Sequence, residues 1–452
     1  MSTLPENWRW STVGEVADTA LGKMLDRGKP RGHAHVPYLR NVNVQWGRIN
    51  TDDILTMELA EDERERFGVR RGDLLVCEGG EVGRAAIWDR DGEYMAYQKA
   101  LHRVRPRDDV DARYLRYAFE NAARTGILTT LTTGSTIAHL PQQNLRRIPV
   151  PIPPLSEQRR IVEILEDHLS RLDEVDALLA TSLRRIAVLD EAAIVQRLGV
   201  GSEVAAMLNG VLPDLAPGWT WKALGDVADV VGGITKDAKR QSDPSYVEVP
   251  YLRVANVQRA RLDLDKVTMI RVPRAKAEAL RLQPGDVLMN EGGDRDKLAR
   301  GWVWEGQIEG CIHQNHVFRA RPHEDAIRPE WLSWCANTYG ARWAQRNGKQ
   351  SVNLASISLR VIREMPVPVP PVEVQDDHLT AIRESVYATS RLRSELEKAR
   401  LRGANLRVSL FAAAFLGQLT GRPSDLELAE ELSATLDVVP ASLVGYEVAA
   451  LR

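Results

Sequence analysis

The sequence predicts an α+β fold: two modules of mixed α/β structure joined by two long helices packed as an antiparallel coiled coil, built by internal pseudo-two-fold duplication. Three observations predict it. A set of motifs occurs twice, in the same order, at offsets near 213 residues. Short Val/Ile/Leu/Trp segments broken by Gly/Asp turns fill the first part of each copy, with helical stretches at Ala112 to Ala123 and Glu330 to Ala344. Each copy then closes on a proline-rich run followed by more than 40 residues without proline.

The duplication is read residue by residue. Leu4, Trp8, Trp10, Gly14 and Val16-Ala17-Asp18 return as Leu215, Trp219, Trp221, Gly225 and Val227-Ala228-Asp229. Pro37-Tyr38-Leu39-Arg40 with Asn43-Val44-Gln45 returns as Pro250-Tyr251-Leu252-Arg253 with Asn256-Val257-Gln258. Gly72-Asp73-Leu74-Leu75 with Glu78-Gly79-Gly80 returns as Gly285-Asp286-Val287-Leu288 with Glu291-Gly292-Gly293. Gln98 answers Gln314, His139 aligns with Asn353, Gly134 with Gly348, and Gln158 with Gln375. A period this long exceeds the roughly 20–50 residues of a solenoid repeat, so each copy is a domain plus an appendage.

The run Ile148 to Pro154, matched by Met365 to Pro371, cannot be helical, because proline removes amide donors and biases its predecessor toward extended backbone. It is expected to be a stiff extended strap. Ser156-Glu157 then start a helix that neither proline nor glycine interrupts up to Leu198. Leu165, Leu172, Leu179, Ile186 and Ala193 recur every seven residues, with Ile161, Val175 and Leu189 on a companion row. The second helix, Glu373 to about Leu416, carries Ile382, Thr389, Leu396 and Leu410 on one row and Leu392, Ala399, Leu406 and Ala413 on the other. Gly403, at the position equivalent to Ile186, predicts close packing of small against large.

These readings place a first module at 1–153, a central helix at 154–199, a linker at 200–214, a second module at 215–371, a distal helix at 372–418 and an acidic tail at 419–452. The tail's Asp425, Glu427, Glu430, Glu431, Asp437 and Glu447 favour solvation, with partner contact as the alternative.

Composition excludes several classes. Lys plus Arg is 60 against 62 Asp plus Glu, so bulk charge alone cannot hold the chain to nucleic acid, although a local basic groove can. Three cysteines without a CxxC pair support neither a disulfide framework nor a structural zinc site. The N-terminus lacks a basic stretch followed by an apolar one, and no apolar run is long enough for a membrane span, so a soluble, cytoplasmic chain is expected.

Catalytic signatures are missing: no GxxxxGK(S/T), HExxH, GxSxG or Asn-Pro-Pro-aromatic segment occurs. The Glu78-to-Arg84 segment reads as a structural turn that also shapes a binding edge. His33, His35, His102, His139, His313 and His316 lack a fixed metal-ligand set and are expected on the surface or in the core. Trp8, Trp10, Trp219 and Trp221 are expected to anchor the core. Gly134-Ser135-Thr136 and Gly348-Lys349-Gln350-Ser351 are polar loops that either reach a phosphate or base edge or serve as ordinary turns.

Taken together, the Leu-Pro-x-x-Trp, Pro-Tyr-Leu-Arg, Gly-Asp-Leu-Leu, Thr133-Gly134-Ser135-Thr136, proline-strap and Ser156-Glu157-Gln158-Arg159-Arg160-Ile161 motifs, in order and given twice, resemble the specificity subunit of type I restriction-modification systems. The resemblance covers Leu4 to Leu419. It implies two target-recognition domains, each reading one half of an asymmetric, split double-stranded DNA target, with the helices acting as a ruler between half-sites. It also implies a non-catalytic chain without cofactor or metal of its own. Two modification subunits would supply S-adenosylmethionine-dependent adenine methylation, and restriction subunits ATP- and Mg²⁺-dependent translocation and cleavage; no membrane is involved. In the second copy Val372-Glu373-Val374-Gln375 and Asn347-Gly348-Lys349-Gln350 depart from the motif, which weakens the carry-over there.

Arg84, Lys99, Ser135 and Thr136 in the first module and Arg295, Lys297, Lys349 and Gln350 in the second are the expected DNA contacts, since Arg and Lys suit phosphate or guanine and Gln suits adenine. Arg40 and Arg253, identical in both copies, fit a shared structural or phosphate role. Two other readings stay open: a scaffold pairing other proteins through its helices, and an enzyme whose site lies at the duplicated Glu-Gly-Gly turns.

Overall fold

In the computed structural model the described residues are 4–25, 32–134, 138–201, 204, 209–323, 326–350 and 355–420. Ser135, Thr136 and the acidic tail beyond Thr420 lie outside them. The chain divides into two compact units, residues 1–180 with 397–452 and residues 181–396, so the division falls within both long helices.

In the first unit a four-stranded antiparallel sheet runs in the order Ala17–Leu21, Leu101–Pro106, Leu74–Cys77, Ala85–Ile87. The Leu74–Cys77 strand is buried on both faces. One face packs on the Ala112–Arg124 helix through Tyr114, Leu115 and Phe119, and the other covers a smaller core with Leu39, Trp88 and Tyr97. A second sheet pairs Leu55–Leu59 with Ala34–Leu39, which pairs in parallel with Ala96–Tyr97. The strap is extended as expected, and it is a strand: Pro149–Ile152 pairs antiparallel with Arg9–Thr12. Proline tolerates this two-stranded ribbon because alternate residues need no ladder donor.

The second unit makes the same ladders from the corresponding residues. Its sheet runs Ala228–Gly232, Val317–Pro322, Val287–Asn290, Gly301–Val303. Tyr246–Leu252 lies between Thr268–Pro273 and Ile312–His313, and Thr220–Ala223 pairs with Pro366–Val369. The helical stretch expected at Glu330 to Ala344 is broken into Pro329–Cys335, a π-turn at Ala336–Gly340 and Ala341–Asn347, with Thr338 outside helical geometry.

The long helices are Leu155–Arg197 and Val372–Phe415. Within the first unit they run antiparallel: Arg407 pairs with Asp173 at 2.6 Å, and Thr420 bonds Glu157 at 2.7 Å. Within the second unit Arg393 pairs with Asp190 at 3.2 Å, and His378 bonds the Arg197 carbonyl at 2.6 Å. Phe411 and Phe415 pack on Tyr117 and Tyr114, joining the distal helix end to the first module.

Burial corrects three details. The row Leu165, Leu172, Leu179, Ile186 faces inward, but Val175 is 47% and Leu189 66% exposed, and Ala193 is exposed too. One helix laid on another covers only a narrow stripe, so flanking heptad positions face out. A side chain at Gly403 would meet only the Asp176 carboxylate, at 3.7 Å, so glycine is not needed there for close approach. Trp8 is buried, whereas Trp10 is 47% exposed on the ribbon face opposite buried Ser11; Trp219 and Trp221 are half-buried.

Candidate nucleic-acid interface

The site is built on a frame of buried polar groups that both units repeat. Asp73 is 1% exposed and receives two hydrogen bonds from Arg105, at 2.7 and 2.8 Å. In the second unit Asp286 takes the same grip from Arg321, at 2.7 and 2.9 Å. Each carboxylate also accepts from a backbone amide three residues earlier, Arg70 or Gln283, so it closes the Gly-Asp turn that starts the central strand. The Asp73 carboxylate holds the Arg105 guanidinium above its ordinary range, as Asp286 does for Arg321.

A second repeated device follows Pro-Tyr-Leu-Arg. Asn43 accepts from the Arg40 amide at 2.8 Å and donates to the Asn50 and Asp53 carbonyls at 3.0 and 2.9 Å. Asn256 does the same with Arg253, Asp263 and Lys266. Both asparagines are buried. A satisfied buried amide of this kind fixes one turn geometry. That turn presents Arg40 and Arg253 at the same place in the two units. Arg40 pairs with Asp53 at 2.6 Å, while Lys266 stands at Asp53's position beside exposed Arg253.

The Glu-Gly-Gly turns leave the central strands. Gly80 and Gly293 have φ of 74° and 131°, which L side chains rarely adopt, and this explains the repeated glycine. In the first unit Gly79 bridges His139, which also bridges Thr133, and Asn41 donates to the Gly79 carbonyl at 2.8 Å. In the second unit the same edge is a three-stranded sheet, Gly292–Gly293, Ala355–Ser356, Lys349–Gln350. Gly79 bridges His139 as Gly292 pairs with Ser356, so His139 and Ser356 hold equivalent register positions, while Asn353 lies outside the described residues. Gly134 has φ of 98° and Gly348 of −77°, so these two glycines are not conformational equivalents.

The expected contact residues divide accordingly. Lys349 and Gln350 are exposed on the edge strand, and Arg295 is exposed on the Arg295–Lys297 turn that follows Gly292–Gly293. Lys297 on the same turn is ion-paired with Asp294, whose carboxyl it holds below the usual range. These four residues belong to one neighbourhood of the second unit. In the first, Lys99 is exposed and lines a cavity of about 520 Å³ with Thr19, Lys23, Arg66, Phe67 and Gln142. Arg84 is half-buried: its guanidinium donates to the Asn41 carbonyl at 3.0 Å and pairs with Glu81 at 3.3 Å, so it braces the turn.

The histidines divide between core and surface. His102 and His313 are fully buried, and burial pushes both down to about 4, while His35 and His139 are exposed. Among the described residues no group of three His, Cys, Asp or Glu side chains could hold a metal ion, and no helix is long and apolar enough to cross a membrane. Cys77, Cys311 and Cys335 are buried free thiols. Sequence reasoning missed the functions of Asn43, Asn256, Asp73 and Asp286; the signal was a polar residue repeated at one offset inside motifs that are otherwise mainly apolar.

Known proteins resemble this chain. A family model described as the type I restriction modification DNA specificity domain matches residues 5–178. The type I restriction enzyme EcoKI specificity subunit of Escherichia coli K12 is 21% identical over 428 residues, covering 93% of this chain and 90% of its own. The StySPI specificity subunit of Salmonella potsdam is 23% identical over 432 residues, again covering 93% and 90%. A chain from a structural study of complex assembly and conformational transition of the type I R-M system superposes with a TM-score of 0.72 at 20% identity, covering 92% of this chain and all of that one. The HsdS subunit from Thermoanaerobacter tengcongensis gives 0.54 at 19% identity, covering 92% and 98%. Residues 5–178 thus match the type I specificity domain, and over nine-tenths of both sequences the chain is similar to type I restriction-modification specificity subunits.

Proposed function

We propose that this chain is the DNA-reading adaptor of a type I restriction-modification complex, in which each module reads one half of an asymmetric, bipartite target and the two helices set the spacer. One observation carries the reading: both units hold the same buried frame, Asp73 with Arg105 and Asp286 with Arg321, yet expose different side chains around the Glu-Gly-Gly turn. Phosphate contacts position a protein on DNA, whereas base contacts specify, so equal frames with unequal edges suit two different half-sites. Lys99 and the Ser135-Thr136 loop serve the first half-site, and Arg295, Lys349 and Gln350 the second. Arg84 and Lys297 act at the same edges, bracing the turns that present them. Arg40 and Arg253 serve phosphate.

In this reading the helices pack as an antiparallel coiled coil, a product of the internal duplication, and also receive partners. Val175, Leu178, Leu401 and Val408 in the first unit are large exposed apolar residues of these helices, as are Val188, Leu189, Tyr387 and Leu392 in the second. Such residues are what a docked modification subunit would cover. Two modification subunits bring S-adenosylmethionine, and restriction subunits bring ATP and Mg²⁺; this chain contributes no catalytic group. The test is single-molecule methylome sequencing of host DNA with the chain present and deleted. N6-methyladenine in a motif of two specific blocks separated by unspecified bases, found only with the chain present, supports the reading. A methylome that does not change, with the modification subunit shown to be active, favours a protein scaffold instead.

A further inference from the structure

We infer that Gln158 and Gln375 are positioning residues: each locks a module to the start of its long helix, and together they determine how strictly the chain holds to one spacer length. The inference rests on the proposed reading of the helices as a spacer. Both amides are 0% exposed in the first turns of their helices, so neither meets DNA nor a partner protein.

Gln158 Oε1 accepts from the Asp111 amide at 2.8 Å, and Nε2 donates to the Asp109 and Pro153 carbonyls at 3.0 and 2.9 Å. Asp111 is itself the N-cap of the Ala112–Arg124 helix, accepting from the Arg113 and Tyr114 amides. One side chain therefore ties together the module's helix cap, the turn before it and the end of the strap. Gln375 repeats the knot: Oε1 accepts from the Arg328 amide at 2.8 Å, and Nε2 donates to Pro370 at 2.9 Å and Ala326 at 3.4 Å. Arg328 is the N-cap of the Pro329–Cys335 helix.

Apolar contacts tolerate sliding, whereas three directional bonds to one buried amide are satisfied together in a single geometry. Strictness about spacing requires such a joint. Moving a half-site by one base pair shifts it about 3.4 Å along the DNA and turns it by roughly a tenth of a revolution. A module free to rock on its helix would accommodate that step; a module pinned at three points rejects it.

The experiment uses the full chain with its modification partner in the host, and reads the methylome for Gln158→Leu, Gln375→Leu and Asp376→Asn. The last variant takes the charge and one acceptor from the exposed pair between Arg328 and Asp376, at 2.8 and 2.6 Å, and so weakens the second joint without opening the core. The expected result is unchanged half-sites with methylation at targets one base pair off in spacing raised about tenfold, the scale of one lost net hydrogen bond, and less for Asp376→Asn. Folded variants that methylate only the original spacing overturn the inference. So do leucine variants that fail to fold, if Asp376→Asn leaves the spacing unchanged. Absence of any chain-dependent motif with the unaltered protein defeats the parent reading instead.

Discussion

The two units differ along their exposed edges and share a set of buried polar bonds. Arg40 is neutralised by Asp53 in the first, while Lys266 takes that place beside Arg253 in the second. Lys99 is followed by Ala100, and the corresponding Asn315 by His316, which pairs with Glu291 at 2.9 Å. A pair of bridges at Thr133, His139 and Gly79 becomes a three-stranded sheet ending in Lys349–Gln350. Beneath these differences Asp73 and Asp286, Asn43 and Asn256, and Gln158 and Gln375 make matching bonds. Buried polar groups are costly to alter one at a time, because a lost partner leaves the other unpaired, so the frame persists while the edge varies.

The largest expected effect tests the shared frame. Asp73→Ala and Asp286→Ala each strand an arginine against the sheet, and each is expected to cost about 3 kcal/mol of stability, read by denaturant unfolding. Similar losses in the two units support a common frame; a loss confined to one would break the comparison. Acid is next. His102 and His313 are buried neutral, with folded values of about 4 against 6.5 for a free histidine. Stability is therefore full above pH 6.5 and is lost as the pH falls toward 4, by about 3 kcal/mol for each histidine. Phe318 stands at His102's register position in the second sheet, since His102 faces Val76 as Phe318 faces Met289. His102→Phe should accordingly remove one histidine's share of the acid sensitivity in a melting series between pH 7 and 4.

Smaller effects belong to the edges. Lys349→Ala is expected to cost about 1–3 kcal/mol of DNA binding or to relax one half-site, in titrations of the assembled complex on variant targets. Unchanged affinity and preference would remove Lys349 from the interface. Smallest is Asp53→Lys, which gives the first unit the charge pattern of the second. Stability should change by less than about 1 kcal/mol, because the Arg40 pair is largely exposed at Asp53, while the salt dependence of binding steepens by roughly one phosphate contact.

Much of this architecture was legible in the sequence, for physical reasons that differ by element. The long helices were legible because an unbroken run without proline has few other options; they run Leu155–Arg197 and Val372–Phe415 against the expected 154–199 and 372–418. The strap was legible as extended, but not its partner Arg9–Thr12, because strand pairing across some 140 residues leaves no local trace. Val175 and Leu189 misled because heptad spacing records apolar periodicity, not what covers each face. Trp10 misled for the same reason in a ribbon. Among the candidate contact residues, Lys349, Gln350, Lys99 and Arg295 are exposed, whereas Arg84 is held by Asn41 and Glu81 across a loop contact that residue type alone cannot reveal.

The central claim is that one frame carries two interchangeable reading edges. It is tested most directly by replacing the second module, 215–371, with a second copy of the matching first-module residues and sequencing the host methylome. The account predicts that the second block of the motif disappears and that both blocks now match the first half-site, giving a symmetric target. A chimera that still methylates the original asymmetric motif would contradict it.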